Sequence, residues 1–357
     1  MQNQASRKTA SASRPIGVFD SGIGGLTVVR AIARRLPRES VLYFGDTLRC
    51  PYGPRPLEEI RSFARQISSW LAQRDVKLIV IACNSATAAA LGHIQQELPV
   101  PVIGVIEPGA RAAVQATRSG RVGVIGTAAT IDSGAYTLAI RGLDAGITTF
   151  SVATPRFVEI VEQGLSFGLN PRSDLMEQAS AIYLRPEFLK IARDYLAPLK
   201  RCKIDTLVLG CTHYPLLTPL ISQVVGPDVR IISSAEETAH EVGETLGRRG
   251  QLASVPKGQG LLFATTAPSV KDFAVPGRAI LARTVAKVQL VGIPELEDAL
   301  ARFEADGGEA GIDTGADSKA GIDTGAGPKV GIDIGAGPDA GALSSDTIPQ
   351  TALGTGL

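Results

Sequence analysis

Short apolar runs alternate with amphipathic stretches along most of the chain. The apolar runs are four to seven residues long and end at Gly, Pro or a polar residue, as buried strands do. They are found at 16–20, 41–45, 78–82, 100–106, 121–126, 207–210, 229–233 and 261–265. Segments with helical spacing of apolar residues, such as 57–73 and 188–199, lie between them. This alternation predicts an α/β fold of parallel sheets covered by helices on both faces.

The order of these elements predicts two similar α/β domains that face each other across a central cleft. The first domain takes residues 15–107 and is completed by 218–300, and the second takes 108–217. Residues 1–14 are polar and are predicted to be a disordered leader. The tail at 301–357 is rich in Gly, Ala and Asp, repeats every ten residues, and is also predicted to be disordered. Its spacing differs from the nonapeptide calcium repeat.

Composition narrows the classes of partner and the compartment. The 36 basic and 35 acidic residues balance, so no strong field attracts nucleic acid or an anionic membrane. No apolar run approaches the roughly 18 residues that a membrane span needs, and the leader lacks the apolar core of a secretory signal. Four cysteines without a CxxC pair are too few for a disulfide scaffold. We therefore expect a cytoplasmic protein with no nucleic-acid or membrane partner.

Several polar side chains stand where predicted strands end. These are Asp20, Asp46, Cys83, Thr127 and Cys211. In open parallel sheets, ligands bind outside the carboxyl ends of the strands. We therefore expect these residues to line the cleft between the two domains.

Cys83 and Cys211 stand in the same local pattern: an apolar run, the cysteine, two polar residues, and a segment that can begin a helix. A helix N-terminus favours the thiolate. One thiol on each face of a carbon atom would let one remove a proton and the other return it, which inverts that centre. A cysteine can also be just a small buried apolar residue, and we expect that, or a neutral surface role, for Cys50 and Cys202. A zinc site would have only Cys211 and His213 as clear ligands, so we predict no metal.

The other candidates have both a functional and a structural interpretation. His213 could assist Cys211, bind the substrate, or be a satisfied core histidine. Asp20 could cap the glycine turn at 22–25, act as a carboxylate beside Cys83, or do both. That turn is not a dinucleotide fingerprint, because Thr27 stands where glycine is needed, but its N–H groups could bind a carboxylate. Neutral donors suited to the carboxylates of an amino acid are Ser21, Asn84, Ser85 and Thr212, although Ser85 and Thr212 could instead cap helices.

Six motifs in order resemble the glutamate racemases of the aspartate/glutamate racemase superfamily, over residues 15 to about 270. They are DSGIGGL at 20–26, YFGDT at 43–47, PYG at 51–53, ACNSAT at 82–87, GVIEPG at 104–109 and GCTHYPLL at 210–217. Ser85 stands where threonine is usual in that family.

The resemblance implies a cofactor-independent racemase in which Cys83 and Cys211 are the two proton donors and acceptors. Asp20 would assist Cys83, and His213 would assist Cys211. Positions that contact glutamate in the family match Asp20, Ser21, Tyr52, Gly53, Asn84, Ser85, Thr127, Thr212 and His213, and two acidic positions near the site match Asp46 and Glu162. Taken singly, each of these two acids is more typical of a cap or a solvated charge. Family members supply D-glutamate for peptidoglycan, and many are homodimers.

Two other functions are compatible with parts of this pattern. An aspartate racemase is the nearest, but His213 stands where that group usually has glutamate. A non-catalytic binding module on the same fold is the second, and it requires at least one of the two cysteines to be dispensable.

Overall fold

The protein contains two parallel β-sheets. The computed structural model describes residues 12–166, 175–254 and 260–306, together with the backbone of 332–333. The strands are β1 Ile16–Asp20, β2 Val41–Gly45, β3 Leu78–Ile81, β4 Val102–Gly104, β5 Arg121–Gly126, β6 Thr148–Ala153, β7 Thr206–Gly210, β8 Arg230–Ser233, β9 Leu261–Thr265, β10 Val288–Leu290 and β11 Ile332–Asp333. The first sheet has the order β10-β9-β2-β1-β3-β4, and the second has the order β11-β6-β5-β7-β8.

Helices connect the strands. They are α1 Leu26–Arg35, α2 Leu57–Ala72, α3 Asn84–Glu97, α4 Ile106–Ala116, α5 Ala128–Asp132, α6 Ala135–Leu143, α7 Arg156–Ser166, α8 Leu175–Tyr183, α9 Pro186–Arg201, α10 Thr218–Val225, α11 Ser234–Arg248, α12 Val270–Leu281 and α13 Ile293–Ala305. Short 3₁₀ turns occupy Thr47–Arg49 and Tyr214–Leu217. This arrangement confirms the predicted α/β class. No helix in the described part is both long and apolar enough to cross a membrane.

The central strands are buried on both faces, which explains their continuous apolar sequences. In β1, Ile16 and Val18 pack into one hydrophobic core, whereas Phe19 packs into another on the opposite face. In β3, Leu78 packs into the same core as Ile16 and Val18, and Ile79 packs into the same core as Phe19. Successive side chains of a strand point to opposite faces, so helices must cover both sides of such a sheet.

One predicted domain boundary is wrong in its detail. Residues 218–300 were expected to complete the first domain, but β8 pairs with β7 in the second sheet. Only β9 and β10 return to the first sheet, where β9 pairs with β2. An apolar four-residue strand does not itself indicate which sheet it joins, because that choice depends on long-range packing. The division of the chain into two domains stays a prediction.

The predicted termini also need correction where they are described. Ala12 is buried, and its carbonyl accepts a hydrogen bond of 2.8 Å from Lys77 Nζ, so the ordered chain begins before residue 15. The predicted tail began at 301, but α13 continues to Ala305 because Leu296 and Ala299 bury its inner face. The rest of the leader and tail predictions lies outside the described residues, apart from β11, which pairs with Phe150 and Ser151.

Candidate active site

The carboxyl ends of the central strands of both sheets meet at one narrow cleft with a free volume of about 20 Å³. This volume holds about one water molecule, so the cleft is nearly closed in this structure and its walls must move apart to admit a small molecule. Its walls are Ser21, Cys50, Pro51, Tyr52, Gly53, Cys83, Asn84, Ser85, Thr127, Thr130, Val158, Gly210, Cys211, Thr212 and His213. The two cysteines singled out from the sequence, and all the predicted substrate contacts except Asp20, therefore come together at one site.

Cys83 lies between β3 and α3, where it is the residue that precedes the helix. Hydrogen bonds from the backbone of Ala86 and from Ser21 favour its thiolate. Burial outweighs them and, together with the Asp20 carboxylate, raises the pKa of the Cys83 thiol to about 12. The backbone at the helix N-terminus therefore favours the thiolate, but desolvation has the larger effect, which the sequence did not indicate.

Cys211 occupies the equivalent place beyond β7. Burial raises the pKa of its thiol, a hydrogen bond from the backbone of His213 opposes this, and the charge of Cys83 adds to the rise. The Cys211 Sγ lies 3.8 Å from His213 Nδ1, within hydrogen-bonding reach for sulfur. The Cys211 thiol and the His213 imidazole therefore lie next to each other, as the sequence predicted.

The raised pKa predicts an unusual pH dependence for alkylation of Cys83 by iodoacetamide. With a pKa of about 12, only about one thiol in ten thousand is ionised at pH 8, and the thiolate is the reactive form. The rate should rise about tenfold per pH unit up to pH 10 without a plateau, as followed by peptide mass spectrometry. The partly exposed Cys202 serves as an internal reference. A rate for Cys83 that is already constant above pH 7 would contradict this expectation.

Asp20 lies beneath the cleft and joins its two sides. The side chain is fully buried, its Oδ2 accepts the Gly22 N–H at 3.1 Å, and its Oδ1 accepts the Thr212 hydroxyl at 3.2 Å. Thr27 adds a second link by donating its hydroxyl to the Thr212 carbonyl at 3.1 Å. The carboxylate therefore both holds the glycine turn and connects the loop after β1 with the loop that carries Cys211.

Asp46 lies behind the cleft wall and holds a loop in place. Its carboxylate accepts hydrogen bonds from Arg49 Nε at 2.6 Å and Thr266 Oγ1 at 2.9 Å, and from the Tyr52 hydroxyl. The Arg49 guanidinium also stacks on Phe63, 4.0 Å from the ring centre. These contacts fix the loop of Tyr52 and Gly53, so Asp46 shapes the site without facing the cleft.

Neutral donors line the cleft next to Cys83. Ser85 Oγ lies 2.9 Å from Thr127 Oγ1, so the two hydroxyls that line the cleft are hydrogen-bonded to each other. The Tyr136 hydroxyl donates to Asn84 Oδ1 at 2.8 Å, which turns the amide so that Nδ2 is its free end. That nitrogen is buried without a hydrogen-bond partner within the described part of the chain. A buried donor of this kind suits an acceptor such as a ligand carboxylate.

Glu162 reaches the site from helix α7. Its Oε1 lies 3.8 Å from His213 Nε2, and its side chain is 50% exposed while that of His213 is 4% exposed. Of the two predicted accessory acids, Glu162 thus approaches a cleft residue and Asp46 supports the wall.

The sequence interpretation missed Cys50, Thr130 and Tyr136. Cys50 was expected to be a neutral or simply buried residue, but it lines the cleft, with its Sγ close to Gly22. Its position just beyond β2 and directly before the PYG motif was the available signal. Tyr136 gave no local signal, because it reaches Asn84 from a helix 52 residues further along the chain. Among the described residues, no group of three or more His, Cys, Asp or Glu side chains could hold a metal ion.

The protein is thus an α/β protein in which two buried thiols line one cleft, each beyond the end of a strand from a different parallel sheet. The family model for Asp/Glu/Hydantoin racemases matches residues 16–242, and the chain belongs to this family.

Individual relatives agree. A glutamate racemase from Listeria monocytogenes serotype 4a is 47% identical over 261 residues, which are 72% of this chain and 92% of that protein. A solved glutamate racemase from Bacillus anthracis superposes with a TM-score of 0.70 at 43% identity, covering 79% of this chain and 98% of that one. A glutamate racemase from Francisella tularensis, solved in complex with D-glutamate, has a TM-score of 0.70 at 33% identity and covers 80% and 99%. The resemblance to the glutamate racemases inferred from the six motifs is confirmed.

Proposed function

We propose that the protein interconverts L- and D-glutamate without a cofactor, using Cys83 and Cys211 as the two bases. The observation that carries this proposal is the placement of both thiols in the walls of one cleft, at the ends of strands from different sheets. Its relatives in Listeria and Bacillus are glutamate racemases, which supports glutamate as the substrate.

The reaction needs one proton removed and one returned. The thiolate of one cysteine takes the α-proton, and the thiol of the other donates its proton to the opposite face of the resulting carbanion. One C–H bond breaks and another forms, so the product is the mirror image and the two cysteines exchange protonation states. Neutral donors, led by Asn84 Nδ2 and the hydroxyls of Ser85 and Thr127, would hold the carboxylates.

The raised pKa of Cys83 has a role in this scheme. A buried thiol resists ionisation until a positive charge enters its surroundings. The α-ammonium group of a bound amino acid brings that charge into a cleft from which water is largely excluded. Substrate binding would therefore produce the thiolate where it is needed, and Asp20 and His213 would assist Cys83 and Cys211 respectively.

The wider role follows from the product. We propose that the protein works in the cytoplasm, supplies D-glutamate for peptidoglycan and thereby cell shape, and acts as a homodimer of two-domain subunits. The resemblance to the glutamate racemases supports each of these points.

The test is incubation of the purified protein with L-glutamate, and separately with L-aspartate, in D₂O without added cofactor or metal. Loss of optical rotation together with uptake of deuterium at the α-carbon, for glutamate alone, is the expected result. Racemisation of aspartate alone would favour the rival racemase. A folded, reduced sample that exchanges neither amino acid would favour the binding module.

A further inference from the structure

Tyr136 touches the chain neighbours of both cysteines that the proposed reaction uses. Its hydroxyl donates to Asn84 Oδ1 at 2.8 Å, and Asn84 directly follows Cys83. A Cβ atom at Gly210, directly before Cys211, would lie 3.1 Å from Tyr136 Cε2, so the tyrosine ring packs against this residue. Tyr136 is 3% exposed and is not among the residues that line the cleft. It is therefore placed to act on the site through its neighbours, without contacting a ligand.

Ser234 sets the direction of the hydrogen bond between Tyr136 and Asn84. A hydrogen bond from the Ser234 side chain favours the phenolate of Tyr136, although burial has the larger effect and raises the pKa of that hydroxyl. Since the tyrosine oxygen accepts from Ser234, its single proton is left to donate to Asn84 Oδ1. The amide of Asn84 thus keeps its oxygen on Tyr136, and Nδ2 is the end available to the cleft that Asn84 lines.

The neighbouring hydroxyls have no such fixed direction. Ser85 Oγ lies 2.9 Å from Thr127 Oγ1 and 3.3 Å from Thr130 Oγ1, and the two threonine oxygens lie 3.2 Å apart. Each hydroxyl can rotate to donate or to accept, so this group can adapt to either kind of ligand atom. Asn84 Nδ2 can only donate, and it is buried without a hydrogen-bond partner in the part of the chain that the structure describes. It is the cleft donor whose polarity is held from outside the cleft.

We propose that Tyr136 is a positioning residue that holds the Asn84 amide with Nδ2 toward the substrate, so that this part of the cleft binds a carboxylate. The inference rests on the proposed function, because it assigns Tyr136 a role in the binding of glutamate. The role is the same in both directions of the reaction, since L- and D-glutamate have the same two carboxylates.

An asparagine side chain needs such a partner because its two ends have nearly the same shape. A half-turn exchanges the oxygen and the nitrogen with almost no change in volume, so hydrogen bonds decide the orientation and packing does not. Without the Tyr136 hydroxyl, the amide of Asn84 is free to turn. Its oxygen would then face the substrate carboxylate, and two acceptors without a proton between them repel each other.

The first test is Tyr136→Phe, which removes the hydroxyl and keeps the ring that packs against Gly210. We expect KM for L- and for D-glutamate to rise about tenfold, while kcat falls by less than about threefold. A hydrogen bond to a charged group that is made in the ground state and in the transition state alike changes KM and leaves kcat nearly constant. Loss of packing next to Cys211 would instead lower kcat.

Tyr183→Phe is the matched control. It also removes a buried tyrosine hydroxyl, one that donates to the Val161 carbonyl at 3.2 Å, and Tyr183 does not line the cleft. This variant should retain the wild-type KM and kcat. Thermal unfolding of every variant shows whether the fold is kept.

A double-mutant cycle tests whether Tyr136 acts through Asn84. In an Asn84→Ala background, the further change Tyr136→Phe should alter KM by less than about twofold, because the group that it positions is already absent. Asn84→Asp tests the orientation of the amide without altering Tyr136. The aspartate still accepts from the tyrosine but turns a charged oxygen to the cleft, so its KM should exceed that of Asn84→Ala at least about tenfold.

The possible contrary results have different meanings. If the wild type is active and Tyr136→Phe has an unchanged KM, or if its effect adds in full to that of Asn84→Ala, Tyr136 does not position the amide. If Asn84→Asp binds glutamate as well as Asn84→Ala does, Nδ2 does not face a carboxylate. A wild type that does not racemise glutamate overturns the proposed function, and with it the role of Tyr136 in glutamate binding.

Discussion

Replacing Cys83 or Cys211 with serine should each abolish racemisation, with kcat/KM falling at least about a thousandfold. A serine hydroxyl is a far weaker acid than a thiol, so it neither removes the α-proton nor returns one at a useful rate, and each base is needed in every turnover. The fold should persist because serine fills nearly the same volume. The measurement is polarimetry of L- and D-glutamate in both directions, together with thermal unfolding.

Matched changes at the other two cysteines test the assignment of roles. Cys202→Ser should retain the wild-type rate, because Cys202 lies away from the cleft. Cys50→Ser should reduce activity much less than Cys83→Ser or Cys211→Ser. Cys50 lines the cleft wall, but no cysteine stands at the equivalent position in the second sheet, so it has no partner thiol. If Cys83→Ser and Cys211→Ser each retain full activity, the two-thiol mechanism is wrong. If Cys50→Ser lost as much activity as Cys83→Ser, the assignment of Cys83 as the base on its side of the cleft would have to be revised.

The sequence indicated the fold class because the central strands are buried on both faces. Continuous apolar runs such as 78–82 therefore marked the strands clearly. Strand β10 was missed, because an edge strand of three residues, two of them exposed, carries almost no pattern. Strand β8 was found, but its sheet was not, because pairing with β7 is decided by tertiary packing.

For the site as well, features with a local sequence pattern were predictable, and features set by long-range packing were not. Cys83 and Cys211 were recognisable from the sequence around them, since each follows an apolar strand and precedes a helical or turn segment. The raised pKa of the buried thiols could not be predicted from the local sequence, because desolvation depends on how completely the surrounding chain excludes water. The contacts of Asp20 with Thr212 and of Tyr136 with Asn84 join residues 192 and 52 positions apart, and no local pattern indicates them.

Replacing Gly24 with alanine should reduce kcat/KM about a hundredfold while the protein stays folded. A Cβ atom at this position would lie 2.5 Å from Thr212 Oγ1 and 2.6 Å from His213 Nδ1. Both distances are far below van der Waals contact, so the buried side chains of Thr212 and His213, next to Cys211, must shift. Shifts of about 1 Å in catalytic groups cost on the order of a hundredfold in rate. Steady-state kinetics and urea unfolding measure the two effects.

Gly92→Ala is the matched control for this change. Gly92 lies in helix α3, and a Cβ atom there would meet nothing within 4 Å. Alanine in an exposed helix position should stabilise the protein by about 0.5–1 kcal/mol and leave the rate unchanged. If Gly24→Ala were as active as Gly92→Ala, the contact between the loop after β1 and the Cys211 loop would not hold the two sides in register. A selective loss at Gly24 would instead show that close approach of these loops, which only glycine permits, sets the alignment of the second thiol with its substrate.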